Sequence, residues 1–215
     1  MGDSQCLKRV KWTVQLSDAL GMLYNQSMPS SRKNSPVEIV EYDPEWHNEY
    51  QHLAQQLHQV LQGLVLSIEH VGSTSVVGLA AKPVVDIDVI LSSRLKLPEV
   101  IRRLTALGYV HVGNQQVPGR EVFKQERVKK HHLYVCSVDT PNLHNHLIFR
   151  DYLRAHPEEA QAYGALKKQL ASVLGHDREA YSLGKTEFVQ RILALAEEEY
   201  GFARFQPTQD SSPTR

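Results

Sequence analysis

Cysteine is scarce in this chain. Cys6 and Cys136 are its two copies in 215 residues, and their wide separation excludes the dense disulfide framework of a small secreted domain and fits a reducing compartment. Net charge is absent as well: 24 Lys and Arg balance 24 Asp and Glu. No global field therefore recruits nucleic acid or an anionic membrane, and any phosphate binding has to come from a local patch. Also missing is an apolar run near the ~20 residues that span a bilayer. The start, MGDSQCLKRVKW, has no apolar signal core, and Cys6 stands where a myristoylation pattern wants Ser or Thr. These absences predict a soluble, cytoplasmic protein with no membrane partner and no strong nucleic-acid signal. No repeat at fixed period is visible, which excludes solenoids and propellers.

What is present divides the chain into three parts. Residues 1–36 end in a Ser/Pro/basic stretch, SMPSSRKNSP, and read as a disordered arm. A start at Met28, or a mitochondrial transit peptide carrying only Lys8, Arg9 and Lys11 early on, are the alternatives. Residues 37–202 form the folded domain, and 203–215 read as a disordered tail. The domain opens with an extended lead-in at Val37 and Ile39. Asp43 then caps a helix with Pro44 in its first turn, Trp46, Tyr50, Leu53, Leu57 and Leu61 on one face, and Gly63 ending it. LVLSIEHVG reads as a strand, STSVVGLAA as a short helix, VVDIDVILS as a second strand, and LPEVIRRLTALG as a helix. YVHVG, EVFKQE and HHLYVCSV are extended pieces, LHNHLIF follows them, and Pro157 to Tyr200 is helical. Strands in the middle and helices at both ends predict an α+β domain: a mixed β-sheet with helices on one side and a C-terminal helical segment.

The chemistry concentrates in HVGSTSVVGLAAKPVVDIDVILSS, residues 70–93. In a strand, Asp86 and Asp88 share one face and Val85, Ile87 and Val89 the other. Two carboxylates with Cβ atoms roughly 7 Å apart on an apolar strand repel each other unless a cation lies between them. A hard divalent ion with oxygen ligands, Mg²⁺ or Mn²⁺, suits that pair. Gly72 and Ser73 make a turn that lets an anion approach the backbone, Thr74 adds a hydroxyl, and Lys82 adds a cation. A phosphate at the turn would face a metal held on the adjacent strand, which is the layout of phosphoryl or nucleotidyl transfer.

Gly72-Ser73 followed by Asp86-Ile87-Asp88 resembles the signature of the polymerase-β-like nucleotidyltransferase superfamily. More narrowly, HVGSTSVVGLAAKPVVDIDV, HHLYVC, FRDYLRAHPEEAQAYGALKKQLA and YSLGKTEFVQRIL resemble the GrpB family, a likeness running from about Val37 to Phe202. The resemblance implies a nucleotidyltransferase-like fold with Gly72 and Ser73 on the phosphate-binding turn and Asp86 and Asp88 as metal-binding, catalytic carboxylates. It also implies a third carboxylate on a neighbouring strand. HHLYVCSV offers His132, Tyr134 and Cys136 there instead, and Glu121, Glu126 and Asp139 are the nearest acids.

Of the 11 histidines, His70 and His132 border the expected pocket, where a neutral imidazole would orient a phosphate or act as base. His144 and His146, read as sharing a strand face, offer a zinc or transition-metal alternative. Arg120, Lys124, Arg127, Lys129 and Lys130 form a basic hairpin, either solvated or an electrostatic wall. Lys185 begins the last helix, placed to fold back over a nucleotide. Lys167 and Lys168 read equally as cations for the site or as ordinary exposed helix residues, and Arg150-Asp151 as a structural ion pair. The leading expectation is a Mg²⁺-dependent nucleotidyltransferase that moves a nucleotidyl group from a nucleoside triphosphate to a hydroxyl of a small-molecule or protein acceptor. A non-catalytic nucleotide- or metabolite-binding module and a His-containing metal-dependent phosphohydrolase are its rivals.

Overall fold

The computed structural model describes residues 36–125 and 131–201. The expected arm and tail, and the hairpin residues Glu126, Arg127, Lys129 and Lys130, lie outside them. Helix α1 spans Glu45–Leu61. It begins where the Asp43 side chain accepts from the Glu45 N–H at 3.0 Å, satisfying one of the free donors of the first turn. Gly63, with φ +77°, turns the chain out of it. Strand β1 (Val65–Val71) follows, then a single 3₁₀ turn at Ser73–Ser75, strand β2 (Val85–Leu91), helix α2 (Leu97–Ala106) and strands β3 (Val110–Gly113), β4 (Arg120–Lys124) and β5 (His131–Ser137). Helices α3 (Pro141–Ala155), α4 (Pro157–Leu174), α5 (Arg178–Leu183) and α6 (Thr186–Tyr200) complete the chain.

The five strands form one mixed sheet in the order β1-β2-β5-β4-β3. β2 runs parallel to β5 and antiparallel to β1, and the remaining pairs are antiparallel. Alternation along β2 decides what each face carries. Val85, Ile87, Val89 and Leu91 pack with Trp46, Leu57 and Leu61 of α1 and Val100 and Leu104 of α2. Ile90, on the aspartate side, packs with Tyr134, Cys136, Leu143 and Leu147. The α+β architecture is thus a mixed sheet with α1 and α2 on one face and the C-terminal helical segment against the other. A second apolar cluster joins that segment to the chain after the 3₁₀ turn: Val76 and Leu79 pack with Tyr152, Leu153, Tyr163, Val189 and Ile192.

Three local expectations are corrected. The stretch after Gly72 is one 3₁₀ turn rather than a helix, because Gly78 at φ +79° breaks any continuation. LHNHLIF belongs to α3, with Pro141 in its first turn, where the fixed φ of proline suits helix entry. His144 and His146 therefore point about 200° apart around a helix instead of sharing a strand face. Arg120 is 1 % exposed and lies over the Tyr134 ring at 4.9 Å, so it is a buried sheet residue and no part of an outer wall. Cys136 is a buried free thiol.

Candidate functional site

Register places the two aspartates. Asp86 and Asp88 lie opposite His132 and Tyr134 of β5 on one side, and opposite Val71 and Glu69 of β1 on the other. Each aspartate gives one oxygen to an imidazole: His132 Nδ1 meets Asp86 Oδ1 at 2.7 Å, and His146 Nδ1 of α3 meets Asp88 Oδ2 at 2.7 Å. With Nδ1 turned to a carboxylate, each ring presents Nε2 elsewhere. Asp88 is 0 % exposed and its Oδ1 has no hydrogen-bond partner. Tyr134 stands between the two imidazoles, its ring 6.3 Å from that of His132 and 6.2 Å from that of His146. Burial pushes its phenol well above the usual value, with Asp86 adding to the effect.

The glycine of the turn is a steric requirement. Gly72 has φ 70° and ψ −176°, a region open essentially to glycine alone. A Cβ there would sit 2.4 Å from Asp86 Oδ2. The turn and the aspartate strand are therefore in van der Waals contact. Ser75 Oγ donates to the Gly72 carbonyl at 2.6 Å. From α3, Arg154 donates to the Ser75 carbonyl through Nε at 3.0 Å and Nη2 at 2.9 Å. One turn earlier, buried Arg150 reaches Glu69 at 2.9 Å and the His70 carbonyl at 3.0 Å, besides pairing with Asp151. Two arginines one helical turn apart thus fix β1 and the phosphate-turn candidate to α3.

A cavity of about 180 Å³ opens over this junction. Gly72, Ser73, Thr74, Lys82, Asp86, His132 and Lys185, all singled out from the sequence, line it together. His146, Tyr163, Lys167 and Tyr181 line it as well. Of the two readings open for Lys167, the structure excludes the exposed one: it is 3 % exposed, and its Nζ lies 4.6 Å from the centre of the Tyr163 ring. Lys185 Nζ stands 4.6 Å over Tyr181. Desolvation, helped by Lys82 and opposed by Asp86, lowers its amine to about 8. Lys168, by contrast, is exposed and pairs with Glu41.

His70 is not brought to the cavity. It lies on the α1 side of the sheet, stacked on Tyr50 at 4.6 Å, and meets the Thr74 hydroxyl at 3.1 Å, so it braces the turn from behind. Burial lowers its pKa to about 3. The folded state thus holds a neutral ring where the unfolded chain takes a proton near 6.5. The stability it contributes is present above pH 6.5 and is lost as pH falls toward 3. Urea unfolding from pH 6.5 down to 4 should cost the native protein about 3 kcal/mol more than the His70→Phe variant, whose ring stacks but does not titrate. Equal slopes would contradict the buried neutral ring.

No acid on β5 joins the aspartates. Glu121 lies on the α1–α2 side of the sheet, bonded to His111 at 2.8 Å, and Asp139 is in the exposed turn after β5. Among the described residues, no group of three His, Cys, Asp or Glu side chains is placed to hold a metal. Of the two aspartates, Asp86 lines the cavity and fully buried Asp88 does not, although its Oδ1 has no hydrogen-bond partner; the pair is the donor set that would suit Mg²⁺. That ion takes one or two protein carboxylates and completes its shell with water and substrate phosphates.

The family model "GrpB protein" matches residues 36–195. The UPF0157 protein YqkA of Bacillus subtilis is 34 % identical over 155 residues, 72 % of this chain and 45 % of that protein. This chain therefore spans about half the length of that relative. The crystal structure of the conserved protein GrpB from Enterococcus faecalis superposes with a TM-score of 0.69 at 35 % identity, covering 76 % of this chain and 99 % of that one. The GLD-2/RNP-8 complex aligns at a TM-score of 0.52 and 9 % identity over 92 % of this chain and 77 % of that one, a likeness of fold alone. Among the described residues no helix is long and apolar enough to cross a membrane. With the family's model matching residues 36–195 and a solved relative 35 % identical over most of the chain, this chain belongs to the GrpB family.

Proposed function

We propose that this protein is a Mg²⁺-dependent nucleotidyltransferase, with Mn²⁺ an acceptable substitute. It would transfer a nucleotidyl group from a nucleoside triphosphate to a hydroxyl of a small-molecule or protein acceptor. The observation that carries the reading is the contact of Gly72 with Asp86 beneath a cavity lined by Lys82, Lys167 and Lys185. A carboxylate on the floor, Asp86, and amines on the wall are what a metal-bound polyphosphate needs. Asp86 and Asp88 would hold the metal, which supplies charge neutralisation at the reacting phosphate. Ser73 and Thr74 supply hydroxyl donors at the turn, and Lys82 and Lys185 neutralise the β- and γ-phosphates. His132 and His146 hold the two carboxylates in place, and Arg154 holds the turn.

A second reading is favoured by one feature. The aspartate face of β5 carries His132, Tyr134 and Cys136 and no third acid, so the same site would serve a binding module that retains the nucleotide without transferring it. The test uses each common nucleoside triphosphate labelled at the α-phosphate, with Mg²⁺ and a small-molecule extract as acceptor. The transferase reading expects new labelled species together with released pyrophosphate. Binding with no label transfer leaves the module. Loss of inorganic phosphate with the label still on the nucleotide would point to a phosphohydrolase.

A further inference from the structure

Most buried ammonium groups are paired, because an unpaired one pays the full cost of leaving water. Lys167 breaks that rule. It is 3 % exposed, its Nζ has no hydrogen-bond partner, and it lines the cavity. Its neighbours do not explain it: the Tyr163 ring face lies 4.6 Å away, Lys185 opposes its charge, and Asp86 favours it only at a distance. Burial pushes its amine well below the usual lysine value, and Lys185 pushes it the same way. A chain that needed only packing here would be more stable with a methionine. The helix also shows that the placement follows from the sequence pattern: Ala160, Tyr163, Gly164 and Lys167 are the buried residues of α4, spaced at three and four along one face. The amine is delivered to the cavity by the same stripe that packs the helix.

We infer that Lys167 is the deep anion receptor of this cavity, binding with Lys185 the terminal phosphate of a polyphosphate ligand. This rests on the nucleotide reading above and sharpens it. The phosphate chain runs from the Gly72–Ser75 turn toward α4 and α6, so the terminal phosphate is the group read by the C-terminal helices. Ligands ending in a bare phosphate, triphosphates and inorganic polyphosphates among them, are then preferred over esters in which that phosphate is capped.

The test uses inorganic tripolyphosphate titrated calorimetrically into the whole chain without metal, alongside the melting temperature of the free protein. Lys167→Met should lose about tenfold or more in affinity, the effect of removing one charge-assisted bond. Its melting temperature should stay level or rise by about 3 °C, as an unpaired buried amine is replaced by an apolar chain. Lys168→Met, on the exposed side of the same helix, should change neither. Unchanged tripolyphosphate affinity in Lys167→Met overturns the inference and leaves the nucleotide reading standing. A lowered melting temperature overturns it too, because the amine would then be holding the fold. If the native protein binds no tripolyphosphate without metal, the inference falls, while the nucleotide reading is decided separately by triphosphate binding in Mg²⁺.

Discussion

An Asp86→Asn/Asp88→Asn double variant is expected to fold like the native chain and to lose nucleotidyl transfer by a factor of about 10³ or more. The factor corresponds to several kcal/mol of charge stabilisation lost from the reacting phosphate when its metal is lost. Folding should survive because the amide oxygens can still accept from His132 and His146 at the positions where the carboxylates accept now, both at 2.7 Å. Removing a carboxylate from the fully buried Asp88 site also removes a desolvation cost. The measurement is release of pyrophosphate, with water or the extract as acceptor, beside urea unfolding of the same samples. Native-like stability with transfer reduced to background supports the metal role. Undiminished transfer would remove these residues from the chemistry.

The second large effect belongs to Gly72→Ala. Two separate costs meet there. The backbone conformation costs any side chain about 1–3 kcal/mol, and the new methyl carbon collides with Asp86 Oδ2 at 2.4 Å, adding on the order of 1–3 kcal/mol of overpacking. Gly78→Ala carries a positive-φ cost without the collision, since Gly78 has φ +79° but nothing within 4 Å of an added Cβ. Urea unfolding should therefore place Gly72→Ala about 2–6 kcal/mol below the native protein and clearly below Gly78→Ala. In an Asp86→Ala background the gap between the two glycine variants should narrow, because the colliding oxygen is gone and only the Asp86 Cβ, 3.1 Å away, remains in tight contact. Equal losses for both glycines in the native background would mean that the turn does not press on the aspartate.

The likeness between what the residues predict and what the chain builds is uneven, and the reasons are physical. β2 was legible because an alternating apolar strand with two acids in it has one sensible arrangement. α1 was legible because Asp43, Pro44 and the Trp46–Leu61 stripe state its start and its buried face. α3 was not, since His144, Asn145 and His146 dilute the apolar period and the helix buries polar residues such as Asn142, Asn145 and Arg150. Its signals were Pro141 after Thr140 and the spacing Leu143, His146, Leu147, Arg150, which aims His146 at Asp88 and Arg150 at β1. Charge alone leaves Lys167 open between a site cation and an exposed residue, although its spacing from Tyr163 and Gly164 puts it on the packed face. Register also lay beyond periodicity. The pairing that sets His132 against Asp86, and sends His70 to the opposite side of the sheet, depends on which strands become neighbours.

These placements converge on one claim, that the turn, the two aspartates and the lysines together hold a metal-bound nucleoside triphosphate. Calorimetric titration of ATP, GTP, CTP and UTP into the whole chain, in Mg²⁺ and again in excess chelator, tests it most directly. The expected result is saturable binding of at least one triphosphate that weakens about tenfold or more when Mg²⁺ is removed, with the same loss in Asp86→Asn/Asp88→Asn. Binding of none of them, or binding indifferent to both the metal and the aspartates, would contradict the account.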